Sequence, residues 1–116
     1  MRLRASGTDD SAANYRQQEL SINGTGVIAA RNVNVNRWTE VIYFNTYQNE
    51  NELIITNPFN TTTTLALSKT IAQGAGNPEL YLRALGLNTS TSYDSLSVIK
   101  TSGTFSGSVS VYGLAK

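Results

Sequence analysis

Along most of this 116-residue chain apolar and polar side chains alternate one for one, and no stretch keeps a 3.6-residue apolar period. A period of two marks strands with one covered and one wet face, so the pattern predicts a domain built of short strands. Residues 2–6 (RLRAS) open it, followed at once by the turn-rich SGTDDSAAN. Residues 15–22 (YRQQELSI) form the next expected strand, ended by Asn23-Gly24-Thr25-Gly26, a strong turn signal. Residues 27–35 begin apolar and then set Val33 and Val35 against Asn32, Asn34 and Asn36. The run 38–44 (WTEVIYF) is strongly apolar and predicts an inner strand, with a polar loop over 45–51.

In the second half, residues 53–56 predict a strand stopped by Asn57-Pro58, because Pro58 lacks a backbone donor and holds Asn57 extended. Residues 61–70 are β-branched first and then alternate Leu65 and Leu67 with Ala66 and Ser68, before a loop over 73–78 with two glycines. Residues 79–87 alternate less cleanly; a strand is favoured, with a short helix as the alternative. Residues 93–101 place Leu96 and Val98 on one parity. The closing GTFSGSVSVYGLAK carries the clearest rhythm, with Ser106, Ser108 and Ser110 against Gly107, Val109 and Val111. It predicts a half-buried strand that ends the chain inside its sheet. About eight strands spaced some 8–12 residues apart favour an all-β fold, an antiparallel β-sandwich of jelly-roll type. The length suits a single domain over residues 1–116.

Composition narrows the chemistry. Asn, Ser and Thr make up about a third of the chain and charged residues only 15%, yet 40% is apolar and periodic, which is not a disordered composition. The net charge is +1 with no basic block, so nucleic acid is not an expected partner. No apolar run is long enough for a membrane span, and no signal-peptide pattern opens the chain. Cysteine and histidine are both absent. That removes disulfides, Cys/His zinc sites, thiol nucleophiles and a Ser-His-Asp triad, leaving carboxylate chemistry or none. No cofactor is expected, and no enzyme activity.

The ending GTFSGSVSVYG (residues 103–113) resembles that of the C-terminal β-sandwich domain of tailed-bacteriophage virion proteins, the tail-fibre, receptor-binding and related surface proteins. Three further stretches resemble the same domain: LRASGTDDSAANY (3–15), ELIITNPFNTTTT (52–64) and NTSTSYDSLSVI (88–99). Together they span about half of the chain in the expected order, and none is a catalytic signature. The resemblance implies a non-enzymatic virion surface protein, made in the host bacterial cytoplasm, that commonly assembles as a homotrimer. Its partners would be other virion proteins and a host-surface glycan or outer-membrane receptor. The alternative role is a capsid or tail decoration, cement or trimer-assembly domain without a host ligand. Virion proteins of this kind are usually attached through an upstream part, whereas the first expected strand follows Met1 directly. The chain is then either the C-terminal domain of a longer protein or attaches by its own surface.

Candidate site residues follow from residue type and place. The chain carries ten large aromatics, more than one small core hides completely, and Tyr47, Phe59 and Tyr93, in or near expected loops, suit a subunit contact or ligand surface, against places in the core or on its rim. Trp38 could stack on a sugar ring, with Asn and Thr side chains serving the hydroxyls; at the head of an apolar strand it suits a core position equally. Asp9 and Asp10 could give oxygens to a calcium ion, against an Asx-type turn with solvated charges. Glu50 and Glu52 would share one side of an extended segment, the kind of carboxylate pair a glycosidase needs, against a plain polar loop. The Asn-x-Ser/Thr sequons at Asn23, Asn60 and Asn88 are expected by chance in so Asn- and Thr-rich a chain.

Overall fold

Turn chemistry and strand alternation build two antiparallel sheets. The structure, a computed structural model, describes residues 1–43, 48–100, 102–104 and 106–113. Eight strands run in the order β1 (Arg2–Ala5), β2 (Thr8–Asp9), β3 (Tyr15–Asn23), β4 (Gly26–Val35), β5 (Asn49–Thr56), β6 (Leu65–Gln73), β7 (Pro78–Leu87) and β8 (Ser95–Ser97). No helix occurs among the described residues. A five-stranded sheet has the order β4-β3-β7-β6-β5 and a three-stranded sheet the order β2-β1-β8. The domain is therefore an all-β antiparallel sandwich of unequal layers.

The β3–β4 hairpin turns on Gly24 and Thr25 between the paired Asn23 and Gly26. Gly24 has φ 60°, which the first central position of a type II′ turn requires and which glycine adopts without a Cβ clash. At the far end of this hairpin, between Tyr15↔Val35 and Gln17↔Asn32, β4 holds one residue more than β3. The extra residue is accommodated with Asn34 at φ 55°, a bulge that bends the end of the edge strand.

The core lies over one end of the inner face of the large sheet. Tyr15, Ala66, Leu85 and Leu87 from that sheet meet Leu3 from the small sheet and Met1 just before it, with Trp38, Val41 and Tyr93 from connecting segments. Trp38 is fully enclosed; its Nε1–H is shared between the carbonyls of Arg16 and Gly86, each at 3.2 Å, and its ring meets Tyr15 edge-on at 5.4 Å. An edge-to-face contact with a satisfied indole N–H is the usual condition for burying Trp.

Four expectations are corrected. Residues 38–43, all but Glu40, are buried or half-buried as an inner strand would be, but they form bends and irregular backbone rather than a strand. Side chains of the large sheet satisfy their backbone in place of a ladder. Gln17 Oε1 accepts from the Thr39 N–H at 3.1 Å, Ser68 Oγ donates to the Val41 carbonyl at 2.7 Å, and Asn51 bonds both the N–H and the carbonyl of Tyr43. The expected terminal strand is likewise absent: described residues 106–113 belong to no sheet and are exposed, with Val109 at 72% and Val111 at 86%. Alternation at the chain's end is real, but within one chain it meets no neighbouring strand. Strand β5 begins four residues before the expected start, at Asn49, and residues 61–64, expected as strand, precede β6.

Candidate functional site

Of the aromatic residues singled out by sequence, two are interior. Trp38 is 0% and Tyr93 1% exposed, so neither offers a face to a ligand or subunit. Phe59 stands out at 69% exposure on the loop between β5 and β6, and its carbonyl accepts from Ser92 Oγ at 2.7 Å. Tyr47 lies outside the described residues.

Asp9 and Asp10 turn to different partners. Asp9 accepts from Ser97 Oγ at 2.7 Å and faces Arg4 at 3.6 Å, which ties β2 to β1 and β8. Asp10 accepts from the Ala12 N–H at 3.0 Å and from the Tyr93 hydroxyl at 2.6 Å. Tyr93 also shares a bond with Thr89 at 3.0 Å, and the Tyr15 hydroxyl donates to the Asp10 carbonyl while accepting from the Leu3 N–H. Burial, reinforced in Tyr93 by the Asp10 carboxylate, pushes both phenols above the usual tyrosine range. This knot clasps the two sheets together with every oxygen engaged. No group of three or more acidic residues able to hold a metal occurs among the described residues.

A second buried ionic cluster lies at the other end of the inner face, where sequence reasoning had marked nothing. Arg83 is fully enclosed in β7; its Nε lies 2.6 Å from Glu19 Oε2 on β3, its Nη2 3.6 Å from Glu40 Oε2, and its guanidinium 4.9 Å over the Tyr81 ring. Around it Ser21, Ser68 and Thr70 are buried, and Thr70 Oγ1 donates to Asn51 Oδ1 at 2.8 Å. Much of the covered face of the sheet is therefore polar.

The uncovered face is the reverse. Cross-strand partners read across the sheet give Val27, Ile22, Leu80, Ile71 and Glu50 in one row, and Ala29, Leu20, Leu82, Lys69 and Glu52 in the next. The third row holds Arg31, Gln18, Ala84, Leu67 and Ile54, and the last Arg16, Gly86, Leu65 and Thr56. Strict alternation puts all of these on the side away from the core. Leu20, Ile22, Ile54, Leu65, Leu67 and Ile71 are each between 42% and 55% exposed. Four rows across five strands make an apolar field of about 20 × 20 Å, well beyond scattered surface leucines. Glu50 and Glu52 do share one side of β5, but on this open face and with Glu52 held by Lys69 at 3.1 Å, so no cleft encloses the pair.

Leu65 and Leu67 on one parity of β6, and Leu20 and Ile22 on one parity of β3, were visible as alternation. Nothing in the sequence said that their side of the sheet is the bare one. The chain matches no protein-family model, and no curated protein or solved structure is significantly similar to it.

Proposed function

We propose that the chain is a non-enzymatic structural domain of a bacteriophage virion surface protein, of the decoration or assembly kind, that works by packing the outer face of its large sheet against protein. The observation that carries this reading is the inverted sheet. Its enclosed side holds Arg83, Ser68 and Thr70, while its open side holds Leu20, Leu67 and Ile71 at nearly half exposure. A contiguous aliphatic field rimmed by charge is the usual mark of a protein contact. The virion setting is supported by the resemblance of residues 3–15, 52–64, 88–99 and 103–113 to phage surface domains. A glycan-binding tip draws less support, because stacking on a sugar needs aromatic faces at the surface, Trp38 and Tyr93 are enclosed, and of the described residues singled out for this role Phe59 alone is exposed. The homotrimer that the resemblance implies would be one way of covering the face.

Light scattering at micromolar concentration tests the reading. The expected result is an assembly larger than one chain that Leu67→Asp returns to monomer without changing the circular dichroism, together with a blank glycan array. A monomer at every concentration that binds selected glycans would overturn it.

A further inference from the structure

The charges on the outer face are not scattered. Arg16 and Arg31 stand at the corner where β3 and β4 run away from the Gly24 turn. Glu50 and Glu52 stand at the diagonally opposite corner, on edge strand β5 and level with Ile22 and Leu20. Between them the field is aliphatic, interrupted by Lys69, which stays with Glu52. At the basic corner the surface is also recessed. Arg16, Arg31 and Gln18 border a shallow hollow of about 230 Å³ whose floor includes Ala84, Gly86 and Leu65. The missing side chain at Gly86 helps leave that space, since a Cβ there would stand 3.4 Å from Leu65 Cδ2.

We infer that a second copy of this chain covers the face, related by a two-fold axis lying in the interface, with the partner's Glu50 and Glu52 seated in the hollow between Arg16 and Arg31; this rests on the assembly reading above and names its partner. A face-to-face two-fold maps each corner onto its mirror across the axis. Only an axis along the other diagonal, from Ile22 through Leu82 and Leu67 toward Ile54, brings basic corner onto acidic corner, and it does so twice. The residues along that axis then meet their own copies, aliphatic against aliphatic, as an isologous contact demands. The same axis crosses the strands of the two copies steeply, which is the orthogonal class of sheet packing. A face about 20 Å across five strands and about 20 Å along them is roughly 400 Å² in plan, so two faces remove on the order of 800 Å² before side-chain corrugation is counted, close to the about 1,000 Å² of a specific interface.

Sedimentation of the full chain, wild type and two charge-reversed variants, tests this. The wild type is expected to dimerise. Arg16→Glu/Arg31→Glu and Glu50→Arg/Glu52→Arg should each weaken the dimer by at least about tenfold, because both corners then carry one sign. Mixed in equal amounts, the two variants should regain a one-to-one dimer, since every facing corner is again opposite in charge. A ring of three cannot alternate two kinds of subunit, so recovery by mixing excludes the trimer, and recovery at the mass of a dimer identifies the two-fold. A wild-type trimer would overturn the inference and leave the assembly reading standing. Folded variants that associate as wild type does, or fail to recover on mixing, would also overturn it. A wild type that is monomeric at every concentration would overturn both.

Discussion

The Arg83 cluster sets up a sharp asymmetry between two single substitutions. The guanidinium is wholly enclosed, and its nearest counter-charge is Glu19 at 2.6 Å. Glu40 stands 3.6 Å away with its side chain 64% exposed, and neither Nη1 nor Nη2 has a hydrogen-bond partner among the described residues. Glu19→Gln therefore leaves a buried cation with one distant, solvated partner, and removing one member of a buried pair costs about 3–5 kcal/mol. At about 4 °C per kcal/mol for a chain of this size, the melting temperature should fall by about 12–20 °C. Arg83→Met strands Glu19 instead. That carboxylate is 15% exposed and can turn toward water, so its loss of partner should cost clearly less. Replacing both, Glu19→Leu with Arg83→Met, should return stability to near the wild type, because well-packed apolar residues commonly match a buried ion pair. Thermal denaturation of the three variants and the wild type at one fixed concentration makes the comparison. A drop under about 3 °C for Glu19→Gln, or equal losses for the two single variants, would refute the argument that Glu19 is what makes the buried guanidinium tolerable.

Two further outcomes follow from the structure. The Met1 amine, donating to the Trp38 carbonyl at 2.7 Å, is brought down from 8.0 to about 6 by burial, with Arg37 and Arg2 adding repulsion. Between those values the unfolded chain holds a proton that the folded one lacks, so for a chain beginning at Met1 stability rises as pH increases from 6 to 8. With no histidine or cysteine to titrate in the same window, a flat melting temperature from pH 6 to 8, or one that still rises after N-terminal acetylation, would contradict the assignment. Deleting residues 106–116 should leave the melting temperature of the monomeric Leu67→Asp variant within about 2 °C, since Val109, Val111 and Tyr112 are at least 72% exposed; a larger loss would show that the segment packs on the domain.

How far the fold could be read from sequence depended on whether the deciding interaction was local. The β3–β4 hairpin was legible because Asn23-Gly24-Thr25-Gly26 fixes the turn and Tyr15 to Ile22 alternate on either side of it. The segment 38–43 was not, because what keeps it from being a strand is Gln17, Asn51 and Ser68, remote in sequence, whose side chains take up its backbone groups. The exposed terminal residues show the converse: alternation states that a strand could form, and only a neighbour makes one. For the candidate site, alternation in β6 separated Leu65, Leu67 and Ile71 from Ala66, Ser68 and Thr70, but a reader weighing hydrophobicity would turn the leucines inward. Their true direction follows from Trp38 and Tyr15, which anchor the cover on the opposite face.

That inversion bears on how strongly the face can hold a partner. Burying the exposed half of a Leu or Ile side chain is worth about 1 kcal/mol. Leu20, Ile22, Ile54, Leu65, Leu67 and Ile71, with Val27 at 70%, offer seven such side chains on each face. Two faces gain on the order of 10–15 kcal/mol gross, which is the size of the translational, rotational and ordering cost of association, about 4–15 kcal/mol. The aliphatic field alone leaves a small surplus and no preferred orientation, since leucine meets leucine equally well at many angles. Orientation has to come from groups that penalise the wrong arrangement, and on this face those are the two arginines and two glutamates at opposite corners. The charges thus select the geometry while the aliphatic residues supply the driving force, so reversing one corner should cost order as well as affinity, and added salt should loosen the pair without dissolving either fold.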